Sequence, residues 1–299
     1  MIITPSSLSA LMVGFRKNFQ DGLAMTPPEH ERVATTIPST GKSTTYGWLG
    51  KWPKFREWVG DRVFKDMQAH SYSILNKKYE SSVSVGRDEI EDDEIGVYGP
   101  MMMEMGQATS AFPSELVFPL LTAGFASLCY DGQFFFDTDH PVAANVDGTG
   151  AVTTVSNMQA GALTPWFLLD TSRVLKPLIY QLRRAPAFAA LTDPKDEQVF
   201  MTDTYRYGVD LRANAGYGFW QMAHGSKIAL TYDNLWAAYS AMRAFKSDGG
   251  RPLNIKPNLL VVPTSMEKTA LDIVDKEFLA GGESNSLYKK FEVLATSWL

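Results

Sequence analysis

The sequence contains a single cysteine, Cys129, among its 299 residues. One cysteine excludes a disulfide within the chain and a zinc site built from several thiolates. Its sequence neighbours are apolar or aromatic, a setting that is typical of a buried, unreactive thiol. The sequence therefore offers neither a disulfide framework nor an activated cysteine nucleophile.

Long hydrophobic runs are missing as well. A membrane-spanning helix needs about 20 consecutive apolar residues, and no stretch of the chain approaches this length. Near the N-terminus, the basic pair Arg16-Lys17 follows the apolar stretch, whereas a signal peptide has its basic residues first. These features predict a soluble, intracellular protein that has no membrane partner.

An excess of positive charge is also absent. Lys and Arg number 28 against 33 Asp and Glu, which gives a formal net charge of −5 at pH 7. This balance argues against tight binding to free nucleic acid or to an anionic membrane surface. The hydrophobic fraction of 45% is ordinary for a globular protein, and the chain is long enough to bury a sizeable core in one or two domains.

No complete catalytic or cofactor-binding motif is present. Residues 41–43 match the end of a phosphate-binding loop, but the pattern needs a glycine where the chain has Thr36. Three Ser-x-x-Lys patterns occur without the partner motifs that such sites need. The sequence therefore predicts no enzyme activity and no cofactor.

Asp137, Asp139 and His140 are the strongest candidates for a metal centre. Carboxylates and an imidazole at this spacing recur in metal sites. The other three histidines are scattered, so no second ligand cluster accompanies this group. The pattern favours a turn before Pro141 in which the aspartates accept hydrogen bonds from backbone amides. A metal-dependent hydrolase is the alternative interpretation.

The first 24 residues predict an amphipathic helix. Ser6 or Ser7 is in place to cap its N-terminus. The apolar stripe consists of Leu8, Leu11, Met12, Phe15 and Phe19. Because an isolated helix of this length is marginal in water, we expect it to dock on this chain or on a neighbouring copy.

Residues 33–86 are rich in residue types that favour strands and show little helical periodicity. Trp48, Trp52 and Trp58 lie close together in this segment. An insertion of roughly 50 residues has little room for a core of its own. These tryptophans therefore either pack against another subunit or form a small satellite core within the chain.

The central part of the sequence predicts a strand that ends near residue 86 and is followed by a long helix. Six carboxylates at positions 88–94 favour the first turn of this helix, where they face unpaired backbone N–H groups. The helix is expected to run from Ile95 to about Ala111, because Pro113 should break it and start a second helix.

The C-terminal half alternates between strand-rich and helical segments. Residues 141–162 are small and rich in glycine, which predicts a surface loop. Residues 163–230 are expected to be rich in strands, with 197–202 forming one of them. Beyond residue 230, the periodicity predicts a helix, a strand, a second helix and a final strand.

Several segments resemble the major head (capsid) subunit family of Mu-like transposable phages and prophages. They are ATTIPS at 34–39, YGWLG at 46–50, PKFREW at 53–58, RDEIEDD at 87–93, CYDGQ at 129–133 and LLVVP at 259–263. The order and spacing of these segments over nearly the whole chain carry the resemblance.

The resemblance implies an α+β protein with the Hong Kong 97-like phage capsid fold. In that fold an N-terminal arm and an extended E-loop reach over neighbouring subunits, a spine helix runs along a peripheral (P) domain, and an axial (A) domain surrounds the five- and sixfold axes. The implied boundaries are 1–32 for the arm, 33–86 for the E-loop with its return strand, 87–230 for the P domain with the spine helix, and 231–299 for the A domain.

The resemblance also implies the function of a tailed-phage major capsid protein. Such a subunit forms hexamers and pentamers of an icosahedral head, is assembled in the host bacterial cytoplasm, and encloses double-stranded DNA without binding it specifically. The chain starts without a long charged helical leader, so a separate scaffold protein is expected, together with a maturation protease, a portal and a decoration protein. An encapsulin-like compartment shell is an alternative with the same fold.

A shell of this kind requires residues at the contacts between subunits. Aromatic side chains are enriched at interfaces between proteins, so those in the arm and in the E-loop are the predicted candidates for these contacts. They are Phe15, Phe19, Trp48, Trp52 and Trp58.

Overall fold

The computed structural model of the chain describes residues 4–49, 72–92, 95–146, 148–193, 195–279 and 281–299. The helices in these residues are α1 (Pro5–Met25), α2 (Arg87–Glu91), α3 (Ile95–Val117), α4 (Pro119–Ala123), α5 (Glu197–Thr202), α6 (Tyr232–Arg243) and α7 (Glu267–Val274). The strands are β1 (Ala34–Pro38), β2 (Ser43–Thr45), β3 (Ser73–Leu75), β4 (Lys77–Gly86), β5 (His140–Ala143), β6 (Val152–Val155), β7 (Met158–Gln159), β8 (Trp166–Leu169), β9 (Leu178–Leu191), β10 (Thr204–Tyr217), β11 (Ala223–Ser226), β12 (Leu259–Pro263) and β13 (Glu292–Thr296). None of these helices has the length and apolar character that crossing a membrane requires.

A four-stranded sheet is built around the long hairpin of β9 and β10. Its order is β1-β9-β10-β4, in which β1 runs parallel to β9 and the other neighbours are antiparallel. Side chains alternate along β10, so that Tyr205, Tyr207 and Val209 are buried whereas Arg206 between them is exposed. The buried positions share one face of the sheet, which we call the inner face.

Helix α1 covers part of this inner face. The ring of Phe15 meets the ring of Tyr207 edge-on at 5.1 Å between centroids, and the Phe19 ring lies 5.3 Å from that of Phe188. The predicted helix and its apolar stripe are thus confirmed, and in the described residues the helix docks on its own chain.

The N-terminal cap of α1 differs from the expectation. The cap is Thr4, whose hydroxyl accepts a hydrogen bond from the Ser7 backbone N–H at 3.1 Å, while the Thr4 N–H donates to the Ser7 hydroxyl at 2.9 Å. Ser7 therefore takes the third position of a reciprocal capping pair instead of the cap itself.

Helices α1 and α3 come close together at two glycines. A side-chain carbon on Gly22 would collide with the backbone carbonyl of Met103, and one on Gly106 would collide with that of Phe19. Only glycine allows two helix backbones to approach this closely. The two helices consequently pack as one layer on the inner face of the sheet.

Helix α3 continues through Pro113, so the predicted break there is wrong. Helical hydrogen bonding resumes directly afterwards, with the Phe118 N–H donating to the Ser114 carbonyl at 3.0 Å. Full burial of Val117 and Phe118 offsets the roughly 3 kcal/mol that an interior proline costs. The helix is interrupted later, and α4 begins at Pro119.

The acidic run does not form the first turn of α3 as expected. Helix α2 ends at Glu91 and α3 begins at Ile95, with residues 93 and 94 outside the described part. The Glu89 carboxylate accepts a hydrogen bond from the Gly86 N–H at 2.8 Å. This carboxylate therefore ties the start of α2 to the end of β4. The strand predicted to end near residue 86 is confirmed by β4.

A second, five-stranded sheet has the order β13-β12-β8-β11-β7. Every residue of β8 and β12 is buried, as expected for central strands that are covered on both faces. Helix α7 packs on β12 and β13, and α6 packs on β11. The helix–strand–helix–strand order predicted after residue 230 is confirmed.

Two other expectations for the C-terminal half are wrong. Residues 141–162 contain the hairpin of β5 and β6, because the β-branched residues of β6 pair with β5 in antiparallel register. Residues 197–202 form α5 instead of a strand. The Asp196 carboxylate accepts a hydrogen bond from the Gln198 N–H at 2.9 Å and thereby caps this helix.

Candidate functional site

Asp137, Asp139 and His140 lie in the turn that leads into β5. The Asp137 carboxylate accepts hydrogen bonds from the backbone N–H groups of Phe134 at 3.1 Å and Thr138 at 2.7 Å. This is the predicted role of a turn-capping aspartate, and it is confirmed. Asp139 is exposed, and its hydrogen bond with Asp137 raises its pKa.

His140 is fully buried and uses both ring nitrogens. Its Nδ1 lies 2.7 Å from Asp131 Oδ2, and its Nε2 lies 3.2 Å from Asn157 Oδ1. The ring stacks on Trp220 at 3.9 Å between centroids, with an angle of 10° between the planes. The carboxylate partner of His140 is therefore Asp131, and neither predicted aspartate takes that place.

Cys129 completes the same cluster. Its thiol donates to Asp131 Oδ1 at 3.0 Å, and the same oxygen accepts the Gln133 N–H at 3.1 Å. Burial raises the pKa of the thiol, which agrees with the predicted unreactive cysteine. Burial alone would also raise the pKa of Asp131, but hydrogen bonds from His140 and Cys129 outweigh it and lower that pKa.

Asn157 anchors the cluster to two other segments of backbone, the turn at Phe135 and Asp137 and the segment 220–223. Its Nδ2 donates to the carbonyl of Phe135 at 2.8 Å and to those of Trp220 and Ala223 at 3.3 Å each. Its Oδ1 accepts the Asp137 N–H at 2.9 Å. One buried amide thus joins the turn to the second sheet.

Cys129, Asp131 and His140 form the one group of potential metal ligands that converges in the described part of the chain, with ligand atoms within 4.8 Å of one another. Each of these atoms is already engaged in the hydrogen bonds above, and His140 is closed to solvent. Asp137 and Asp139 do not join the group. This arrangement stabilises a turn and offers no open position for a substrate.

Asp131 and Asn157 were not among the site residues predicted from the sequence. The turn sequence around Asp131 was visible, but nothing in the sequence linked it to His140, which lies nine residues away. Asn157 lies in a segment that was expected to be a loop.

Nearly the whole sequence of the chain matches one known protein family. Residues 8–299 match the sequence profile described as the Mu-like prophage major head subunit gpT. The chain belongs to this family. The head subunit is therefore a structural protein of the phage virion, as the sequence resemblance implied.

Two relatives extend this match. The head subunit is 51% identical over 282 residues to the Mu-like prophage FluMu major head subunit of Haemophilus influenzae, an alignment that covers 93% of this chain and 92% of that one. It is 46% identical over 305 residues to the major capsid protein of Escherichia phage Mu, with 100% of both chains covered.

Solved structures show the same fold. A chain from the procapsid of bacteriophage JBD30 matches with a TM-score of 0.90 and 57% identity, covering 99% of this chain and 100% of that one. A chain from the JBD30 capsid matches with a TM-score of 0.77 and 45% identity, covering 100% and 99%. The head subunit therefore has the Hong Kong 97-type capsid fold.

The predicted inter-subunit residues have different environments. Phe15 and Phe19 are buried within their own chain. Trp48 is half-buried, with its ring 5.8 Å from that of Tyr46 and 5.7 Å from that of Phe219. Trp52 and Trp58 lie outside the described residues. Their roles between subunits stay predictions.

Two buried histidines predict acid sensitivity of the head subunit. Burial lowers the pKa of His30 and His224 from 6.5 to about 4, and Lys176 adds to the effect at His30. Between pH 6.5 and 4 the unfolded chain binds more protons, so the free energy of unfolding falls as the pH falls. We expect a loss of about 2 kcal/mol at pH 4.5 from His224 and less from His30.

Denaturant unfolding at pH 7 and pH 4.5 measures this loss. His224→Gln removes one titrating group and should reduce the difference between the two pH values by about 2 kcal/mol. An unchanged difference in this variant would show that His224 is not responsible.

Proposed function

We propose that the head subunit assembles with copies of itself, as hexamers and pentamers, into an icosahedral shell that encloses double-stranded DNA. The observation that carries this proposal is the match over the whole chain to subunits of phage capsids. The mechanism is geometric, because the subunit contributes shape and apolar surface instead of chemistry. The net charge of −5 suits a shell that must release its DNA.

The strand membership of the two sheets supports domain boundaries that differ from those predicted from the sequence. The five-stranded sheet takes β7, β8 and β11 from before residue 230 and β12 and β13 from after it. We assign 119–170 and 219–299 to the A domain. The P domain then consists of α3 as the spine helix with the sheet of β1, β9, β10 and β4. The arm is 1–32, and β2 and β3 form the base of the E-loop.

The similarities to a procapsid chain and to a capsid chain of JBD30 indicate which stage of assembly this conformation resembles. The TM-score is 0.90 with the JBD30 procapsid chain and 0.77 with the capsid chain. We assign the described conformation to a precursor shell, for which a separate scaffold protein, a maturation protease and a portal are the expected partners. A further JBD30 capsid is decorated with minor capsid protein trimers, which supports a decoration partner here.

Catalysis is not part of the proposed role. The buried cluster at His140 has its hydrogen-bonding groups paired with protein atoms. Stoichiometric metal in purified particles would contradict this assignment and would favour the hydrolase alternative.

Expression of the head subunit together with the other head proteins of its phage tests assembly. Electron microscopy should show closed shells, and cryo-electron reconstruction should place five and six subunits around the axes. Protein that remains monomeric under these conditions would overturn the proposal. Particles filled with an enzyme instead of DNA would identify the encapsulin-like alternative.

A further inference from the structure

Two large apolar side chains stand uncovered at the tip of the β9–β10 hairpin. Phe200 is 79% exposed and Met201 is 73% exposed, and they are adjacent on α5. Val199, next to them, is buried in the core cluster that contains Phe15 and Tyr207. One residue of the helix thus anchors it, while the next two face away from the core. We call Phe200 and Met201 the knob.

The turn that carries the knob has a defined geometry at both ends. Asp196 caps the start of α5 through the Gln198 N–H. At the end, Asp203 adopts a left-handed conformation with φ 49°, and its N–H donates to the Val199 carbonyl at 2.9 Å. Because the ends and the anchor are held, the backbone of α5 needs little further ordering when the knob binds.

An open groove lies beside this tip, where β4, β9 and β10 run next to one another. It is lined by Ser82, Ser84, Ala189, Leu191, Arg206 and Gly208. Several of these side chains are small, which leaves an open space of about 690 Å³ over this face of the sheet. The alternation along β10 puts Arg206 and Gly208 on the face opposite α1.

We propose that the knob of one head subunit binds in the groove of a second copy. Within the described residues nothing covers either surface, and the chain belongs to a family whose members form shells of identical subunits. The charges match as well, because exposed Glu197 flanks the knob and exposed Arg206 lines the groove. This contact rests on the assembly proposed above.

The position of the two surfaces favours a closed ring. Thr204, which lines the groove, follows α5 after a single residue, so knob and groove lie at the same end of the sheet. Different patches of identical subunits that meet head to tail form a ring when the rotation closes. A rotation axis near the hairpin tip would bring each knob to the next groove.

Phe200→Asp tests the knob. The side chain is mostly exposed, so the subunit should fold as before, whereas the yield of shells should fall at least about tenfold. Val174→Asp is the matched control, because Val174 is 90% exposed near the start of β9, far from the hairpin tip. Normal shell yield from Phe200→Asp would overturn the proposal.

Crosslinking tests the pairing directly. Subunits with Phe200→Cys and subunits with Ala189→Cys are assembled together and treated with a short bifunctional maleimide. The sole native cysteine, Cys129, is buried and gives little background. A mixed dimer is expected, because it requires knob and groove on different copies, whereas Val174→Cys in place of Ala189→Cys should give none.

The outcomes separate the two proposals. Shells that form normally without a mixed dimer overturn the contact and leave the assembly intact. Failure of the unmodified chain to form shells with its partners overturns the assembly itself, and the contact with it.

Discussion

Replacing Gly106 with valine is expected to separate α1 from α3 and to lower the free energy of unfolding by about 3 kcal/mol or more. A side chain at this position would collide with the Phe19 carbonyl, which belongs to helix backbone and cannot rotate away. The helices must then move apart, which exposes Phe15 and Phe19 to water. Complete burial of each of these side chains contributes roughly 1.5–3 kcal/mol.

Thermal and denaturant unfolding of the purified subunit measure the change. Two glycines of the same helices provide controls. Side-chain carbons on Gly14 in α1 and Gly96 in α3 would meet nothing within 4 Å. Alanine at either position should therefore leave stability unchanged or raise it by up to about 1 kcal/mol.

Hydrogen exchange localises the effect of Gly106→Val. Backbone amides of α1 should lose protection first, while those of the five-stranded sheet should change little. A variant that unfolds like the unmodified chain would mean that α1 is not held by this crossing. A large loss of stability from Gly14→Ala would mean that α1 tolerates no substitution, so that the effect of Gly106→Val could not be attributed to the crossing with α3.

The helix α1 could be predicted because its signal is local. Leu8, Leu11, Phe15 and Phe19 fall on one helical stripe, and this periodicity is independent of what the stripe contacts. The close crossing with α3 could not be predicted. It depends on Gly22 meeting a backbone carbonyl more than 80 residues away, and a glycine in a helix has no sequence pattern that marks such a contact.

The prolines show how tertiary packing overrides a local rule. Either Pro113 or Pro119 can interrupt a helix, but α3 runs through Pro113 and only Pro119 begins a new helix. A backbone hydrogen bond is lost at both prolines, and the full burial of Val117 and Phe118, one turn beyond Pro113, favours keeping α3 helical through Pro113. In α5 a local contact decides instead. The cap at Asp196 favours a helix there, although the residue types of α5 predicted a strand.

In the candidate site, only the contacts between residues close in sequence could be predicted. Asp137 caps the amides next to it, so its role follows from local turn chemistry. The pairing of His140 with Asp131 and Asn157 is a tertiary contact between a turn, β5 and the residue that precedes β7. Family resemblance supplied the fold and function that these residues alone did not.

Replacing Asn157 with leucine is expected to destabilise the head subunit by about 4 kcal/mol. Leucine has a similar volume but forms no hydrogen bonds. The carbonyls of Phe135, Trp220 and Ala223 and the N–H of Asp137 would lose the bonds that the amide makes to them. The Trp220 carbonyl keeps the N–H of Ala223, whereas each buried polar group that is left unpaired costs about 1–3 kcal/mol.

Asn157→Asp separates the two halves of this amide. The carboxylate keeps an oxygen that accepts from the Asp137 N–H, but it places a second oxygen against the three carbonyls that the Nδ2 group served. We therefore expect this isosteric change to cost as much as leucine or more, because an acceptor then faces acceptors. Asn145→Leu is the control, since Asn145 is exposed and bonds to Thr149, and it should cost less than about 1 kcal/mol.

Denaturant unfolding of the three variants, together with shell yield, decides what the buried cluster does. If the cluster only supports the fold, stability and assembly should fall together in both Asn157 variants. If Asn157→Leu unfolds within about 1 kcal/mol of the unmodified chain, the turn is held by other contacts. His140, buried against Trp220 and bonded on both nitrogens, would then need an explanation other than the structural role that its geometry supports.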